Sequence, residues 1–294
     1  MARIVFVGEG MLELARKGGA WQLGYGGDTL NTAIHLARKG HDVGYFTAIG
    51  TDPLSQDIKR QWAAEGLDTS LVLDHPTRNT GLYAISTDAS GERSFSYWRE
   101  TSAAREMFDL PSASTALAQV SSADLLAFSL ITLAILPPPA RSALLGLARA
   151  VRSNGGEVAF DGNYRPRLWL NPDEAAATRD AAIACATIGL PTLEDETAIS
   201  GESDPAAVAA HWQSLGCAET VVKLGAKGCT LPDGAVIAPE AVLEPVDTSG
   251  AGDAFNGGYL AARMEGASPA DAARAGHALA GWTIMRPGAI PAQD

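Results

Sequence analysis

Nine consecutive residues, Asp247-Thr248-Ser249-Gly250-Ala251-Gly252-Asp253-Ala254-Phe255, are placed to do chemistry. They follow a short extended run over 242–246 and lead into a long apolar helix predicted over 254–265. Glycines just before a helix let backbone N–H groups turn toward one point, and the helix N-terminus adds partial positive charge there. Such an arrangement binds an anion. Asp253 is the odd member, because a carboxylate beside an anion site repels the ligand unless it has a task. Removing a proton from a hydroxyl that attacks phosphate is one such task. Local chemistry leaves a second reading equally open: a capped turn in which Asp247, Thr248, Ser249 and Asp253 satisfy helix N–H groups.

Other clusters could supply a ligand site. Gly26-Gly27-Asp28-Thr29-Leu30-Asn31 opens a helix, with Asp28 or Thr29 as its cap and the glycines permitting close approach of a ligand. Asp28 and Asn31 carry donors and acceptors suited to sugar hydroxyls, although a well-capped helix start has the same residues. Asp161-Gly162-Asn163-Tyr164-Arg165-Pro166-Arg167-Leu168-Trp169 directly follows a strand, where parallel sheets bind ligands. Arg165 could hold a carboxylate or phosphate through paired N–H bonds, or be a surface arginine before a proline turn. Lys223-Leu224-Gly225-Ala226-Lys227-Gly228-Cys229 reads as a glycine-punctuated turn between two strands. Tyr97 and Arg99 alternate with Trp98, so both face one side of a strand and suit a polar, anionic small molecule. Asp195 and Glu196 could orient magnesium through water, but acids at a helix start are the plainer reading.

The elements that must position these residues alternate. Runs over 4–7, 43–48, 125–128, 157–161, 187–190 and 220–224 read as buried strands. Stretches over 29–39, 54–65, 140–153, 173–186 and 205–215 read as helices, and two more over 254–265 and 269–285 close the chain. This order implies a mostly parallel α/β sheet covered on both faces. Two hairpin signals break the alternation, one over 11–23 around Lys17-Gly18-Gly19 and one over 81–98 around residues 88–92. They are expected to form a small separate sheet acting as a lid, rather than two edge excursions of the main one.

A net charge of −12 over 294 residues argues against nucleic acid or an anionic membrane as partner. Any anion must then be held by local groups. The three cysteines are widely spaced with no C-x-x-C pair, which points to buried thiols in a reducing cytoplasm. The longest apolar run, 125–136, falls short of the ~20 residues a membrane helix needs. A soluble cytoplasmic protein is expected. Familiar fingerprints fail: Glu13 stands where a dinucleotide fold wants its third glycine, and no Gly-Lys pair, H-E-x-x-H or G-x-S-x-G occurs. The five histidines show no metal spacing.

Together these residues resemble the ribokinase-like, or PfkB, carbohydrate kinases. The 247–255 stretch matches that family's C-terminal signature, and Gly26-Gly27 through Asn31, Ala33 and Gly40 to Gly50 is similar to its N-terminal one. Within the family, Gly8-Glu9, residues 26–31, Tyr97-Trp98-Arg99 with Ser102-Ala103-Ala104, and Asp161-x-Asn163-x-Arg165-x-x-Leu168-Trp169 look like 2-keto-3-deoxygluconate kinases. The tail Arg286-Pro287-Gly288-Ala289-Ile290-Pro291 is similar too.

The resemblance implies one ribokinase-like α/β domain over 1–294, with a lid from about 11–25 and 81–100 that often also makes the dimer contact. It implies an ATP-dependent kinase forming 2-keto-3-deoxy-6-phosphogluconate, with Asp253 as base and the N–H groups of Gly250, Ala251 and Gly252 as anion hole. Gly27, Asp28, Asn31, Tyr83, Tyr97, Arg99 and Arg165 would hold the sugar acid. Asn163, Arg165, Lys223, Leu224, Gly225 and Gly228 would meet ATP together with the Gly250 and Gly252 backbone. Magnesium would bridge the phosphates, and some members of the family use a potassium ion near the signature loop. Thr192 and Asp195 stand where many members carry the Asn and Glu of a metal-orienting motif. Two alternatives remain: a family kinase of a neutral sugar such as fructose or ribose, and a sugar-binding protein without catalysis. Between sugar acid and neutral sugar, Arg99 with Arg165 argues for the acid, since two buried cations without a partner are costly.

Overall fold

The computed structural model describes residues 2–17, 19–87 and 93–293. Strands β1 (Arg3–Val7), β4 (Asp42–Gly50), β5 (Val72–His75), β8 (Leu125–Ser129), β9 (Glu157–Asp161), β10 (Ile188–Gly189) and β11 (Glu219–Thr220) form the main sheet. All its pairings are parallel, in the order β11-β10-β9-β8-β1-β4-β5. Helices α1 (Asp28–Arg38), α2 (Pro53–Ala64), α3 (Ala113–Val120), α4 (Leu130–Ile135), α5 (Pro138–Ser153), α6 (Pro172–Ile183), α7 (Leu193–Ser200), α8 (Pro205–Ser214), α9 (Ala251–Met264) and α10 (Pro269–Ile284) complete the α/β pattern. Parallel strands need such covers, and the inner strands β1, β4, β8 and β9 bury apolar side chains on both faces for that reason. Along β1, Val5 and Val7 enter one core and Ile4 and Phe6 the other. Strand order reverses between β1 and β8, so the carboxyl ends of these strands open a crevice there.

A second sheet, in the order β3-β2-β6-β7, joins β2 (Met11–Lys17), β3 (Ala20–Gly26), β6 (Leu82–Thr87) and β7 (Arg93–Trp98). The two hairpin segments therefore combine into one sheet, through the parallel pairing of β2 with β6. The turn at 88–92 and Gly18 lie outside the described residues. Alternation sorts its side chains: Glu13, Tyr83, Phe95 and Tyr97 face the crevice, while Trp21, Leu23 and Trp98 face away.

Several expectations are corrected. The run over 220–224 is divided, because after Thr220 the chain leaves β11 and Val222–Lys223 (β12) pairs antiparallel with β13 (Cys229–Thr230), which pairs with β14 (Val236–Ile237). The edge strand β5 and helices α3, α4 and α7 are additional, each too short to give a clear period. Helix α9 begins three residues earlier than the 254 expected from the apolar run. No helix among the described residues is long and apolar enough to cross a membrane.

Candidate active site

Two of the helices that reach the crevice, α1 and α9, start on a glycine in place of a side-chain cap. Gly27 is the N-cap of α1 with φ 155°, and a Cβ there would lie 2.3 Å from the Glu9 carbonyl oxygen. Neither Asp28 nor Thr29 caps that helix, contrary to the sequence expectation. Asp28 instead accepts a hydrogen bond from Asn163 Nδ2 at 3.1 Å. Gly250 is the N-cap of α9 in the left-handed region, φ 68°, packed against Ala289, and no side chain caps this helix either. Asp247 braces the loop instead, accepting from the N–H groups of Ser249 and Gly288, both at 2.8 Å. The first-turn N–H groups of α9 thus face the crevice without side-chain competitors, while that of Ala251 also leans on the Thr248 carbonyl at 3.3 Å.

Asp253 sits in that first turn. Asn31 Nδ2 donates to its Oδ2 at 2.8 Å, and Thr32 Oγ1 donates to its carbonyl at 3.2 Å, tying α1 to α9. Burial, then the charge of Asp28, pushes the Asp253 carboxyl up to about 7, against the opposing Asn31 bond. A carboxyl that changes protonation near neutral pH is the result.

These groups line one cavity of about 620 Å³. Of the residues singled out from sequence, it gathers Gly27, Asp28, Asn31, Tyr83, Tyr97, Arg99, Asn163, Arg165, Asp195, Lys223, Gly225 and the 250–253 segment. Leu224 and Gly228 are not in its wall. Leu224 packs toward the core, and Gly228, at φ 100°, passes so close to the Ile237 carbonyl that it serves the turn.

Sequence reasoning did not pair these residues, and it gave no site role to Glu9, Glu13 or Asn256. Buried Glu9 accepts from Arg99 through Nε, at 2.8 Å, and through a terminal guanidinium nitrogen. Arg165 is 49% exposed and donates to Asp195 at 3.0 Å. The argument from two unpartnered buried arginines is therefore overturned: one is half exposed, and each already has a carboxylate. Glu13 accepts from Tyr83. Lys223 Nζ reaches Asp161 at 3.2 Å and Asn256 at 3.1 Å, and lies 3.8 Å from where a Cβ on Gly252 would be. Asn256 Nδ2 closes that triangle on Asp161 at 2.8 Å. Two signals were available: Glu9 lies two residues past the carboxyl end of the first parallel strand, and Asn256 lies three residues beyond Asp253 on one helix face.

Burial, opposed by the Arg165 charge, raises Asp195 to about 6. Among the described residues no group of three or more His, Cys, Asp or Glu could hold a metal.

The comparisons with known proteins agree with this fold. Residues 1–294 match the pfkB family of carbohydrate kinases. The 2-dehydro-3-deoxygluconokinase of Dickeya dadantii is 41% identical over 297 residues, covering 98% of this chain and 96% of that protein. The enzyme of the same name from Escherichia coli K12 is also 41% identical, with the same coverage. Among solved structures, a PfkB protein from Polaromonas superposes with a TM-score of 0.85 at 28% identity, covering 99% of this chain and 97% of that one. Fructokinase from Vibrio cholerae, in a form with fructose, ADP and calcium ion bound, gives 0.84 at 26% identity, with 99% and 95% covered. A family match along the whole chain and near-full-length relatives at 41% identity show that the chain belongs to the pfkB carbohydrate kinases.

Proposed function

We propose that this chain is an ATP-dependent kinase of 2-keto-3-deoxygluconate, transferring the γ-phosphoryl group to the terminal hydroxyl to give 2-keto-3-deoxy-6-phosphogluconate and ADP. The observation that carries the chemistry is Asp253, held by Asn31 in the first turn of α9 and pushed up to about 7. As the hydroxyl oxygen attacks phosphorus, its proton passes to the Asp253 carboxylate, and the bond to the ADP oxygen breaks. Charge shifting onto the transferred group meets the N–H groups of Gly250, Ala251 and Gly252, with Lys223 beside Gly252. Near-full-length relatives at 41% identity support the keto-deoxy acid as substrate. Gly27, Asp28, Asn31, Tyr83, Tyr97, Arg99 and Arg165 form the sugar end, and Asn163, Lys223 and Gly225 lie toward the nucleotide end.

Magnesium fits this donor set only as a companion of the nucleotide phosphates. With no cluster of three carboxylates among the described residues, it would keep its waters and meet Asp195 through one. There it would screen phosphate charge. Potassium is proposed as a structural ion beside the Asp247 loop, tested by turnover in potassium against sodium salts. We place the protein in the cytoplasm as a homodimer through the outer lid face, where Trp21, Leu23 and Trp98 are 53%, 45% and 59% exposed. Sedimentation analysis of the wild type and of Trp98→Lys tests that contact.

The function is tested by ADP release with MgATP and 2-keto-3-deoxygluconate, gluconate, fructose or ribose. Strong preference for the keto-deoxy acid is expected. Preference for a neutral sugar would keep the Asp253 chemistry and overturn the substrate.

A further inference from the structure

Glu13 and Tyr83 stand directly opposite each other in the parallel pairing of β2 with β6, on the face of the lid that looks into the cavity. The Tyr83 hydroxyl donates its proton to Glu13 Oε2. Gly26 makes room for the pair, because a Cβ there would lie 2.3 Å from Tyr83 Oη and 3.7 Å from Glu13 Oε2. The Tyr83 ring is buried in an aromatic wall, 6.0 Å from Tyr97 and 6.5 Å from Phe95 between centroids. A phenol has one proton and otherwise only lone pairs. With that proton committed to Glu13, the oxygen can offer a ligand nothing but an acceptor.

Resting on the kinase reading above, we infer that Glu13 is a positioning residue that fixes the hydrogen-bond polarity of Tyr83, so that this wall selects a hydroxyl of the sugar and turns a carboxylate away. The chemistry is one-sided. A hydroxyl donates to Tyr83 Oη, whereas a ligand carboxylate would meet lone pairs beside the Glu13 charge. Sugar-acid substrates are therefore oriented with their hydroxyls against the Glu13–Tyr83 wall and their carboxylate toward another part of the cavity. Glu13 thereby contributes to specificity through a residue that touches the substrate.

The experiment is a double-mutant cycle on KM and kcat with Glu13→Ala, Tyr83→Phe, the double variant and Glu13→Gln. It is run on whichever sugar the wild type turns over, and on binding by calorimetry if it turns over none. Failure of the substrate proposal is thus read from the wild type alone. Glu13→Ala is expected to raise the sugar KM about tenfold, the scale of a lost charge-assisted hydrogen bond, with KM for ATP unchanged. In the Tyr83→Phe background the same change adds less than about twofold, because its effect runs through the missing hydroxyl. Glu13→Gln, whose amide oxygen still accepts the phenol proton, restores most of the affinity. The inference is overturned if Glu13→Ala acts equally in both backgrounds, or if it raises the ATP and sugar KM together.

Discussion

At the proposed phosphoryl end the cavity wall is backbone at the start of α9, whereas at the proposed sugar end it is side chains, Arg99 and Tyr83, already bonded to Glu9 and Glu13. The first set cannot rotate. Its aim is fixed by Gly250 in a left-handed turn against Ala289, so little reorganisation accompanies the shift of charge in transfer. The second set owes its direction to partners from other strands and can be retuned one pair at a time. Chemistry here is built into the main chain, and recognition into pairs of side chains.

The hardest blow to that contrast would come from the one side chain at the phosphoryl end that takes part directly. Asp253→Asn is expected to lower kcat by about 10³-fold while ATP still binds, and near-normal turnover would remove Asp253 as the base. Next, Gly250→Ala should lower kcat about 10²-fold and the melting temperature with it, since a Cβ would meet Ala289 at 2.6 Å in a strained backbone region. A Gly250→Ala enzyme with normal turnover would show that the loop geometry does not matter. At the other end, Arg99→Ala should raise the sugar KM about thirtyfold and the ATP KM little. It also leaves Glu9 buried without its cation, so the variant should melt low and regain stability when combined with Glu9→Gln. Equal rises in both KM values would take Arg99 out of the sugar end.

The smallest effect is a pH dependence. With Asp253 at about 7, kcat/KM should rise about fivefold from pH 6 to pH 7 and flatten above pH 8. Stability runs the other way. The folded carboxyl holds its proton to higher pH than the unfolded one, whose ordinary value is 3.8, so the stability present below pH 4 is lost as pH rises through 7. Asp253→Asn should therefore melt above the wild type at pH 8, with the gap narrowing toward pH 4. A constant gap would detach the effect from this carboxyl.

The same contrast explains what the sequence disclosed. The 247–253 segment is legible because glycines before an apolar helix leave a local signature, and the alternating runs imply the parallel sheet directly. The partners of the sugar end are not. Glu9 and Arg99 are 90 residues apart, and Glu13 and Tyr83 are 70 apart, so only the lid pairing brings each acid to its partner. Local pattern cannot report a contact fixed by sheet register. Asp28 and Thr29 misled in a different way: good capping residues lost their place to Gly27, because only glycine fits against the Glu9 carbonyl.

The segment after α10 has a consequence for how the cavity is assembled. Gly288 bonds Asp247, Ala289 packs on Gly250 and receives His35, and the Pro291 carbonyl receives Arg38. The cavity wall takes the lid from residues 11–98 and the loop before α9 from residues 248–250, with Ala289 behind it. Early and late parts of the sequence therefore share one wall, and a shift of the 288–291 segment would loosen α1 and the start of α9 together.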